Sequence, residues 1–298
     1  MGKFYIYLSR IPYYCRLIYS RILLKFIKFK KFKKNNNLIY NKFLIDNKLK
    51  DLINNGYCTL KLSDILNKKD EIEILEFIKN IQKKEIKTYE KNFLNNFIGG
   101  DFLKNKKFNF DLKIPLYKLA INQSLINIVK KYFNYSCKLI DIQLAETKVI
   151  NEKDGRVYSQ RWHQDPSLIG VIKIFIYFSN VTLDSGPFEY LKHTHLSYKN
   201  KKAPQSTRKM GGSFYPKTHL IESYINKNMD SKMVLEGKIG TIIIADTSGF
   251  HRGGFSRKKS RLMSTFVYYP KIDPIKTRIK AHINDRNFIS NIQKEFIS

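Results

Sequence analysis

The spacing of hydrophobic residues in the first half of the chain is that of helices. Between residues 71 and 84 apolar side chains recur every three or four positions, which predicts a helix with Asp70 as its cap. A second helix is predicted from Pro115 to Phe133, with the proline in its first turn. The first half is therefore expected to supply helices that pack on the rest of the chain.

Beyond residue 138 the pattern changes to the β-branched and aromatic runs that are typical of strands, separated by Gly, Asn, Asp and Ser. The predicted strands are one early segment, 57–60, and four later ones, 139–150, 168–181, 241–245 and 261–269. Helices followed by many short strands predict an α+β chain, mainly β in its core, built as a β-sandwich or jelly roll.

Length and composition support a globular protein with a large core. The chain has 298 residues, of which 43% are hydrophobic, and this excludes wholesale disorder and a small disulfide-stapled fold. Its three cysteines are far apart and show no zinc-ribbon spacing. A reduced, cytoplasmic location is therefore predicted.

The net charge of +30 does not by itself predict a nucleic-acid partner. Lysine supplies 44 of the 55 basic residues, whereas a dedicated binder tends to cluster arginine with aromatic residues on one face. The sequence also contains no helix-turn-helix, RNA-recognition or zinc-finger signature. We expect non-specific attraction of polyanions but no specific nucleic-acid partner.

Residues 1–45 form a basic N-terminal arm with eleven Lys or Arg and no Asp or Glu. No apolar run in it is long enough for a membrane-spanning helix. At residues 21–32, however, basic and apolar side chains fall on opposite faces of a helix. This pattern predicts either peripheral contact with an anionic membrane through residues 1–34 or a helix docked on the folded body of the protein, with a targeting peptide or a disordered arm as further alternatives.

Three residues in the β-rich half have the pattern of a metal site. His163 and Asp165 are two positions apart, so both side chains point to one face of an extended segment. His251 follows the predicted strand 241–245 and offers a third ligand. Two histidines and one carboxylate on three corners of an octahedron leave three open positions, the arrangement of non-haem Fe(II) oxygenases.

An arginine accompanies these residues. Arg261 comes ten residues after His251, at the start of the next predicted strand, in a chain with four times more lysine than arginine. A guanidinium can hold a carboxylate with two parallel hydrogen bonds, which an ammonium cannot do. Arg261 is therefore predicted to bind a dicarboxylate co-substrate.

With these residues in place, the sequence resembles the phytanoyl-CoA dioxygenase family of Fe(II)/2-oxoglutarate-dependent oxygenases. The resemblance rests on RWHQD at 161–165, SGPFEYLKHTH at 185–195 and GTIIIADTSGFHRGG at 240–254, followed by Arg261. Upstream, NNGYCTLKL at 54–62 and LINIVKKYFNY at 125–135 are similar to the family's first strand and to the helix before its barrel. It spans about residues 50–270.

The resemblance implies an oxygenase domain over 46–275 and a C-terminal tail over 276–298. The domain would be a double-stranded β-helix (jelly roll) with flanking N-terminal helices. His163, Asp165 and His251 would bind Fe(II), and Arg261 would bind the distal carboxylate of 2-oxoglutarate, with O2 as the other co-substrate. The implied reaction couples conversion of 2-oxoglutarate to succinate with hydroxylation of a C–H bond in a small or carrier-linked substrate, such as a coenzyme A thioester. Halogenating relatives have a small residue at the position of Asp165, so its presence favours hydroxylation.

The sequence also departs from the family pattern. Some members place a serine two residues after the distal histidine to help bind 2-oxoglutarate, and this chain has Gly253 there. Tyr177 and Thr265 are the candidates for that second contact. The family's usual Pro-Gly-Ser-His turn is absent near His195, which leaves His195 as an unassigned candidate.

Two alternatives from other classes stay open at this point. One is a cupin-like jelly roll that binds metal without oxygen chemistry, but it would need no dicarboxylate clamp such as Arg261. The other is a basic membrane-surface or nucleic-acid adaptor with a catalytically dead barrel, in which the ligand set would survive only by chance. The prediction is therefore an enzyme, a 2-oxoglutarate-dependent non-haem iron dioxygenase.

Overall fold

The computed structural model describes residues 42–83, 94–98, 108–149, 156, 158–198, 203–204, 206–208, 213–273, 275–281 and 290–297. The predicted amphipathic helix at 21–32 and the membrane contact through 1–34 lie outside these residues. Across the described ranges, no helix has the length and apolar character needed to cross a membrane.

The described chain has six α-helices and thirteen strands. The helices are α1 (Lys42–Asn55), α2 (Lys68–Lys83), α3 (Pro115–Ala120), α4 (Gln123–Phe133), α5 (Thr218–Lys227) and α6 (Asn291–Ile297). The strands are β1 (Tyr57–Lys61), β2 (Leu94–Ile98), β3 (Phe108–Phe110), β4 (Cys137–Thr147), β5 (Ile172–Tyr177), β6 (Phe188–Leu191), β7 (Ser206–Arg208), β8 (Phe214–Pro216), β9 (Lys232–Leu235), β10 (Thr241–Asp246), β11 (His251–Gly253), β12 (Arg261–Pro270) and β13 (Ile279–Ala281).

Two helix predictions need correction. The single helix predicted over 115–133 is wrong, because it is divided into α3 and α4 at Asn122, whose side chain accepts hydrogen bonds from the backbone N–H groups of Ser124 and Leu125. Asp70 is not the cap of α2. The helix begins at Lys68, and the Asn67 side chain accepts a 2.9 Å hydrogen bond from the Asp70 backbone N–H. In both cases an asparagine competes successfully for the helix start.

The predicted strands all form, with different lengths. The strand predicted over 168–181 shortens to β5, and that over 139–150 becomes β4, whereas the other three differ from prediction by a single residue at one end. Turn residues at the ends of β5 explain its shortening: Gly170 precedes it with a φ of 132°, and Ser179 and Asn180 follow it.

Two sheets form the body of the protein. The larger has six strands in the order β1-β10-β5-β12-β4-β2, and the smaller has three in the order β11-β6-β9, with antiparallel pairing in both. Aromatic and aliphatic side chains from both sheets meet in an inner core that includes Phe175, Phe188, Tyr190 and Ile243. The sheets therefore enclose a common interior.

The opposite face of the large sheet is covered by helices. Ile172, Ile174 and Ile176 alternate along β5 with the inner-core residues, and they join a large apolar cluster with side chains from α1 to α4. The described part of segment 276–298 belongs to this layer, since β13 pairs with β3 and Phe296 of α6 is fully buried. This layer fixes the strands whose inner face carries the polar residues described next.

Candidate metal centre

The two candidate histidine ligands lie directly opposite each other. His163 and His251 form an isolated antiparallel bridge, in which the backbone N–H of each donates a 3.0 Å hydrogen bond to the carbonyl of the other. Their ring centroids are 4.1 Å apart. Residues that are 88 positions apart in sequence are thus held side by side by main-chain hydrogen bonds.

Asp165 completes a cluster with them. Its backbone N–H donates a 2.8 Å hydrogen bond to the carbonyl of Thr247, just beyond the end of β10, and its Oδ2 lies 3.6 Å from Nε2 of His251. One ligand atom from each of His163, Asp165 and His251 lies within 4.8 Å of the others. All three side chains are buried. The structure therefore brings together the three residues that the sequence singled out.

Both imidazoles have a fixed tautomer. Nδ1 of His163 lies 2.8 Å from the carbonyl oxygen of Arg161, and Nδ1 of His251 lies 3.0 Å from that of Gly249. A carbonyl oxygen only accepts, so each Nδ1 carries the hydrogen and donates it. Each Nε2 is left with its lone pair, the state in which a neutral histidine binds a metal ion.

The charges of the cluster suit a cation. Burial lowers the pKa of His163, and burial together with the nearby His163 lowers the pKa of His251 well below its ordinary value. Burial alone would raise the pKa of Asp165, but the Lys173 ammonium and then the two imidazoles hold it well below its usual range. At neutral pH the cluster offers two neutral nitrogens and one carboxylate.

Lys173 is the residue at this site that the sequence analysis missed. Its Nζ lies 2.7 Å from Oδ2 of Asp165, the same oxygen that approaches His251. Lys173 lies on the inner face of β5 and is the only charged residue in the run IKIFIY. A single lysine in an otherwise apolar strand was a usable signal, but it was hidden in a chain with 44 lysines.

Arg261 is buried at the start of β12, and no acidic residue in the described ranges pairs with it. Its Nη1 donates to the carbonyl of Gly186, its Nη2 lies 3.5 Å from Oγ1 of Thr147, and its Nε has no hydrogen-bond partner within the described part of the chain. Burial lowers the pKa of Arg261, and the electrostatic influence of Tyr177 opposes this effect. The guanidinium is thus enclosed but not neutralised.

The turn next to Arg261 depends on glycine. Gly186 has a φ of 69°, and a Cβ there would come within 2.5 Å of the carbonyl oxygen of Gly254. This close approach holds the carbonyl of Gly186 against the guanidinium. The SGPF segment at 185–188 therefore positions Arg261 from the facing sheet.

The two candidates for a second co-substrate contact differ in their surroundings. Tyr177 is fully buried, and its hydroxyl donates a 2.8 Å hydrogen bond to the carbonyl of Leu235 while it accepts a 3.0 Å bond from the N–H of Phe188. Thr265 is partly exposed on β12, four residues after Arg261 and therefore on the same face of the strand. Neither role is tested by these contacts, so both stay predictions.

Gly253 and His195 complete the set of predicted positions. Gly253 lies two residues after His251 on β11, and a Cβ placed on it would be 3.5 Å from Nη2 of Arg261. His195 is buried elsewhere, with Nε2 3.0 Å from the carbonyl of Ile53 in α1, and it is not a member of the metal-ligand cluster. Gly253 thus separates the metal ligands from the arginine, whereas His195 contacts the helical layer.

The residues present fit both a metal ion and a carboxylate ligand. Two histidine nitrogens and one carboxylate oxygen that lie close together and buried are a donor set for a divalent transition metal. Among the described residues the Arg261 guanidinium has no acidic partner and its Nε has no hydrogen-bond partner. Such a group fits an anion, because an isolated buried charge is costly unless it is paired.

No family model and no curated protein matches this chain. Among solved structures it is similar to EctD from S. alaskensis with bound Fe, at a TM-score of 0.54 and 13% identity over 84% of both chains. It is also similar to the epimerase SnoN in complex with Fe3+, alpha ketoglutarate and nogalamycin RO, at 0.53 and 12% over 79% of this chain and 87% of that one. The carbocyclase SnoK from nogalamycin biosynthesis gives 0.51 and 11% over 88% and 92%. At these identities the likeness concerns the fold, and it confirms the predicted jelly roll with flanking helices.

Proposed function

We propose that the protein is an Fe(II)- and 2-oxoglutarate-dependent dioxygenase that hydroxylates a C–H bond of a small or carrier-linked organic substrate. The observation that carries this proposal is the common location of a three-donor metal cluster and a buried arginine that pairs with no acid among the described residues. The two groups meet along β11, where His251 belongs to the metal cluster and a Cβ at Gly253 would lie 3.5 Å from Nη2 of Arg261. A metal-binding cupin without oxygen chemistry has no need for such an arginine.

The chain's own residues have defined roles in this reaction. His163, Asp165 and His251 would hold Fe(II) on one side and leave its other positions open, while Arg261 would bind the distal carboxylate of 2-oxoglutarate. When bound, Fe(II) with 2-oxoglutarate and O2 supplies the oxidation of a C–H bond, coupled to formation of succinate and CO2. The buried aromatic residues Phe175 and Phe188 of the inner core would exclude water from the space between these groups.

We further propose that the protein is of the phytanoyl-CoA dioxygenase type. The motifs RWHQD, SGPFEYLKHTH and GTIIIADTSGFHRGG support this finer assignment. SnoN and SnoK, which are named as alpha ketoglutarate dependent enzymes, and EctD, which binds Fe, support the coarser one. Asp165 occupies the ligand position and favours hydroxylation over halogenation.

The test is the visible spectrum of the protein purified without oxygen. A weak charge-transfer band that appears only after addition of both Fe(II) and 2-oxoglutarate would show that the 2-oxo acid chelates a protein-bound iron. We expect the band to disappear in His163→Ala. In Arg261→Ala we expect it to require at least about thirtyfold more 2-oxoglutarate, because a buried charge pair is lost.

His219→Ala is the matched control, since His219 is exposed at the start of α5 and is not a member of the cluster. It should retain the band at the wild-type concentrations. A folded wild-type protein that binds Fe(II) but shows no band would contradict the oxygenase proposal and favour the cupin-like alternative. A band that survives in His163→Ala would contradict the ligand assignment.

We also propose that the arm 1–34 brings the enzyme to anionic membrane surfaces. Residues 1–34 hold ten Lys or Arg and no Asp or Glu, which supports this proposal. Sedimentation with vesicles of phosphatidylserine and phosphatidylcholine should pull down the full chain but not a variant that lacks residues 1–34. Equal binding of both forms would contradict it.

A further inference from the structure

We propose that Lys173 couples metal binding to co-substrate binding at the candidate centre. It lowers the affinity of the site for the metal ion when no anion is present, and it stabilises the metal-bound carboxylate end of the 2-oxo acid once that anion is bound. This inference rests on the proposed function and assigns a role to a residue that the metal-ligand set and Arg261 do not include.

The first argument is the atom that Lys173 contacts. Its Nζ lies 2.7 Å from Oδ2 of Asp165, and that same oxygen lies 3.6 Å from Nε2 of His251. Oδ2 is therefore the carboxylate oxygen directed toward the other ligands. In the metal-free protein the ammonium neutralises the charge that a metal ion would neutralise.

The second argument is the electrostatic consequence of metal binding. A divalent ion held by Asp165 would lie close to the Lys173 ammonium, and two cations at such a distance repel strongly at the effective dielectric of a protein interior. The Asp165–Lys173 pair must also be broken or weakened before the metal gains the full charge of the carboxylate. Lys173 should therefore lower the metal affinity of the site while the site holds no anion.

Among the described residues, no other carboxylate is placed to replace Asp165 as the ion-pair partner of Lys173. On the strands that flank it, its direct neighbours are Ala245 in β10 and Val267 in β12. Asp141 lies opposite Val267 on β4, but it is held by Arg278 at 3.1 Å. With a metal on Asp165, the nearest negative charge available to Lys173 would be an anionic ligand of that metal.

Arg261 does not substitute for Lys173 in this role. Arg261 lies at the first position of β12, whereas Val267, the β12 partner of Lys173, lies six residues further along the strand. The Cα positions from which the two side chains extend are therefore about 20 Å apart along the strand direction by strand rise, less in a twisted sheet. Arg261 is suited to bind the distal carboxylate of the dicarboxylate, whereas Lys173 is suited to contact the 2-oxo acid end that lies on the metal.

The experiment measures metal affinity with and without the 2-oxo acid, not turnover. Co(II) is titrated anaerobically into wild-type protein and Lys173→Met, each alone and with saturating 2-oxoglutarate or pyruvate. Pyruvate has the 2-oxo acid end but no distal carboxylate, so it reports on Lys173 independently of Arg261. We expect Lys173→Met to bind Co(II) at least about tenfold more tightly without anion. We also expect the tightening by either 2-oxo acid to be at least about tenfold smaller than in wild type.

Lys130→Met is the matched control. Lys130 forms an ion pair of the same 2.7 Å length with Glu295, but this pair joins α4 to α6 in the helical layer. It should leave both Co(II) affinities unchanged. Lys173→Arg should restore most of the wild-type coupling, and Lys173→Gln serves as a second neutral variant if Lys173→Met does not fold.

The outcomes separate the two proposals. Unchanged Co(II) affinity in the neutral variants, or an unchanged effect of the 2-oxo acids, would overturn the role of Lys173 and leave the dioxygenase proposal intact. Loss of the 2-oxoglutarate effect but retention of the pyruvate effect would also overturn it, because it would place Lys173 at the distal carboxylate. Wild-type protein that binds no metal, or whose metal affinity responds to neither 2-oxo acid, would overturn both.

Discussion

The two faces of the large sheet are made by the same strands but differ in the kind of side chain that they bury. Along β5 the outward residues Ile172, Ile174 and Ile176 are all fully buried against helices. The inward residues alternate with them and are Lys173, Phe175 and Tyr177. Along β5 the outer face is uniformly aliphatic, whereas the inner face combines two aromatic side chains with a charged lysine.

The difference teaches where stability and function are located. Apolar contacts on the outer face are numerous and interchangeable, and each buried side chain contributes to the free energy of unfolding. Buried charges on the inner face are costly unless they are paired, and Arg261 has no acidic partner in the described chain. The helical layer thus supplies the stability that lets the inner face keep groups suited to ligands.

The strongest test of this comparison uses two adjacent residues of β12 that point to opposite faces. Arg261→Met should weaken 2-oxoglutarate binding by about 30- to 1000-fold, because the charge partner of the distal carboxylate is removed. Leu262→Ala, whose side chain belongs to the outer apolar cluster, should lower the free energy of unfolding by about 2–5 kcal/mol. Calorimetric titration and urea denaturation measure the two quantities.

The comparison predicts that each variant leaves the other quantity nearly unchanged. Leu262→Ala should bind 2-oxoglutarate within about twofold of wild type under conditions where it is folded. If Leu262→Ala weakened binding as much as Arg261→Met, the two faces would not be independent and the comparison would be wrong.

A smaller effect is expected for the pH dependence of stability in the metal-free protein. Burial lowers the pKa of His163 and His251 in the folded state, whereas a histidine in the unfolded chain has a pKa of about 6.5. Below that pH the unfolded state binds more protons than the folded state. The stabilisation of the fold that comes from keeping both imidazoles neutral is therefore fully present above about 6.5, and it is lost as the pH falls. Urea denaturation in a chelator should show a loss of up to about 1.4 kcal/mol per histidine and pH unit.

Variants on the two faces of the sheet show which residues cause this pH dependence of stability. His251→Gln should reduce the loss of stability between pH 7.5 and pH 5.5, because one of the two buried imidazoles is gone. His219→Gln, at an exposed position, should keep the wild-type slope, as should Leu262→Ala on the outer face. An unchanged slope in His251→Gln would show that the inner-face histidines do not control acid stability.

The smallest effect is expected for a gain of function at Gly253. A Cβ there meets its nearest neighbour, Nη2 of Arg261, at 3.5 Å, which is an ordinary contact. Gly253→Ser should place a hydroxyl near the guanidinium and tighten 2-oxoglutarate binding by about two- to tenfold, the value of one hydrogen bond. Gly253→Ala is the control for the added methyl group, and equal affinities in the two variants would contradict the expected hydrogen bond.

The sequence was most informative where the chemistry is local. The two-residue spacing of His163 and Asp165 and the position of His251 after a strand each imply a direction for a side chain, because alternation in extended backbone is strict. Arg261 stood out because arginine is rare in this chain. These four residues were named from sequence, and the structure places the first three in one cluster.

Other features could not be read from the sequence because they depend on competition or on long-range contact. The break between α3 and α4 depends on whether the Asn122 side chain or the continuing helix satisfies the N–H groups of Ser124 and Leu125. The ion pair of Lys173 with Asp165 joins a strand to the segment before it, and although Lys173 is the one charged residue of an apolar strand, the sequence does not show which carboxylate it meets. Both are decided by tertiary geometry.

The hydrogen bonds of the two histidines have a consequence for how such a site can be inherited. Each imidazole is oriented by the carbonyl of the residue two positions before it, Arg161 for His163 and Gly249 for His251. The carbonyl that fixes the tautomer of each ring therefore lies within the same three consecutive residues as the histidine. Because the acceptor is a main-chain carbonyl, a change of side chain at position 161 can leave this hydrogen bond in place, so the metal-binding tautomer can be inherited through such a change.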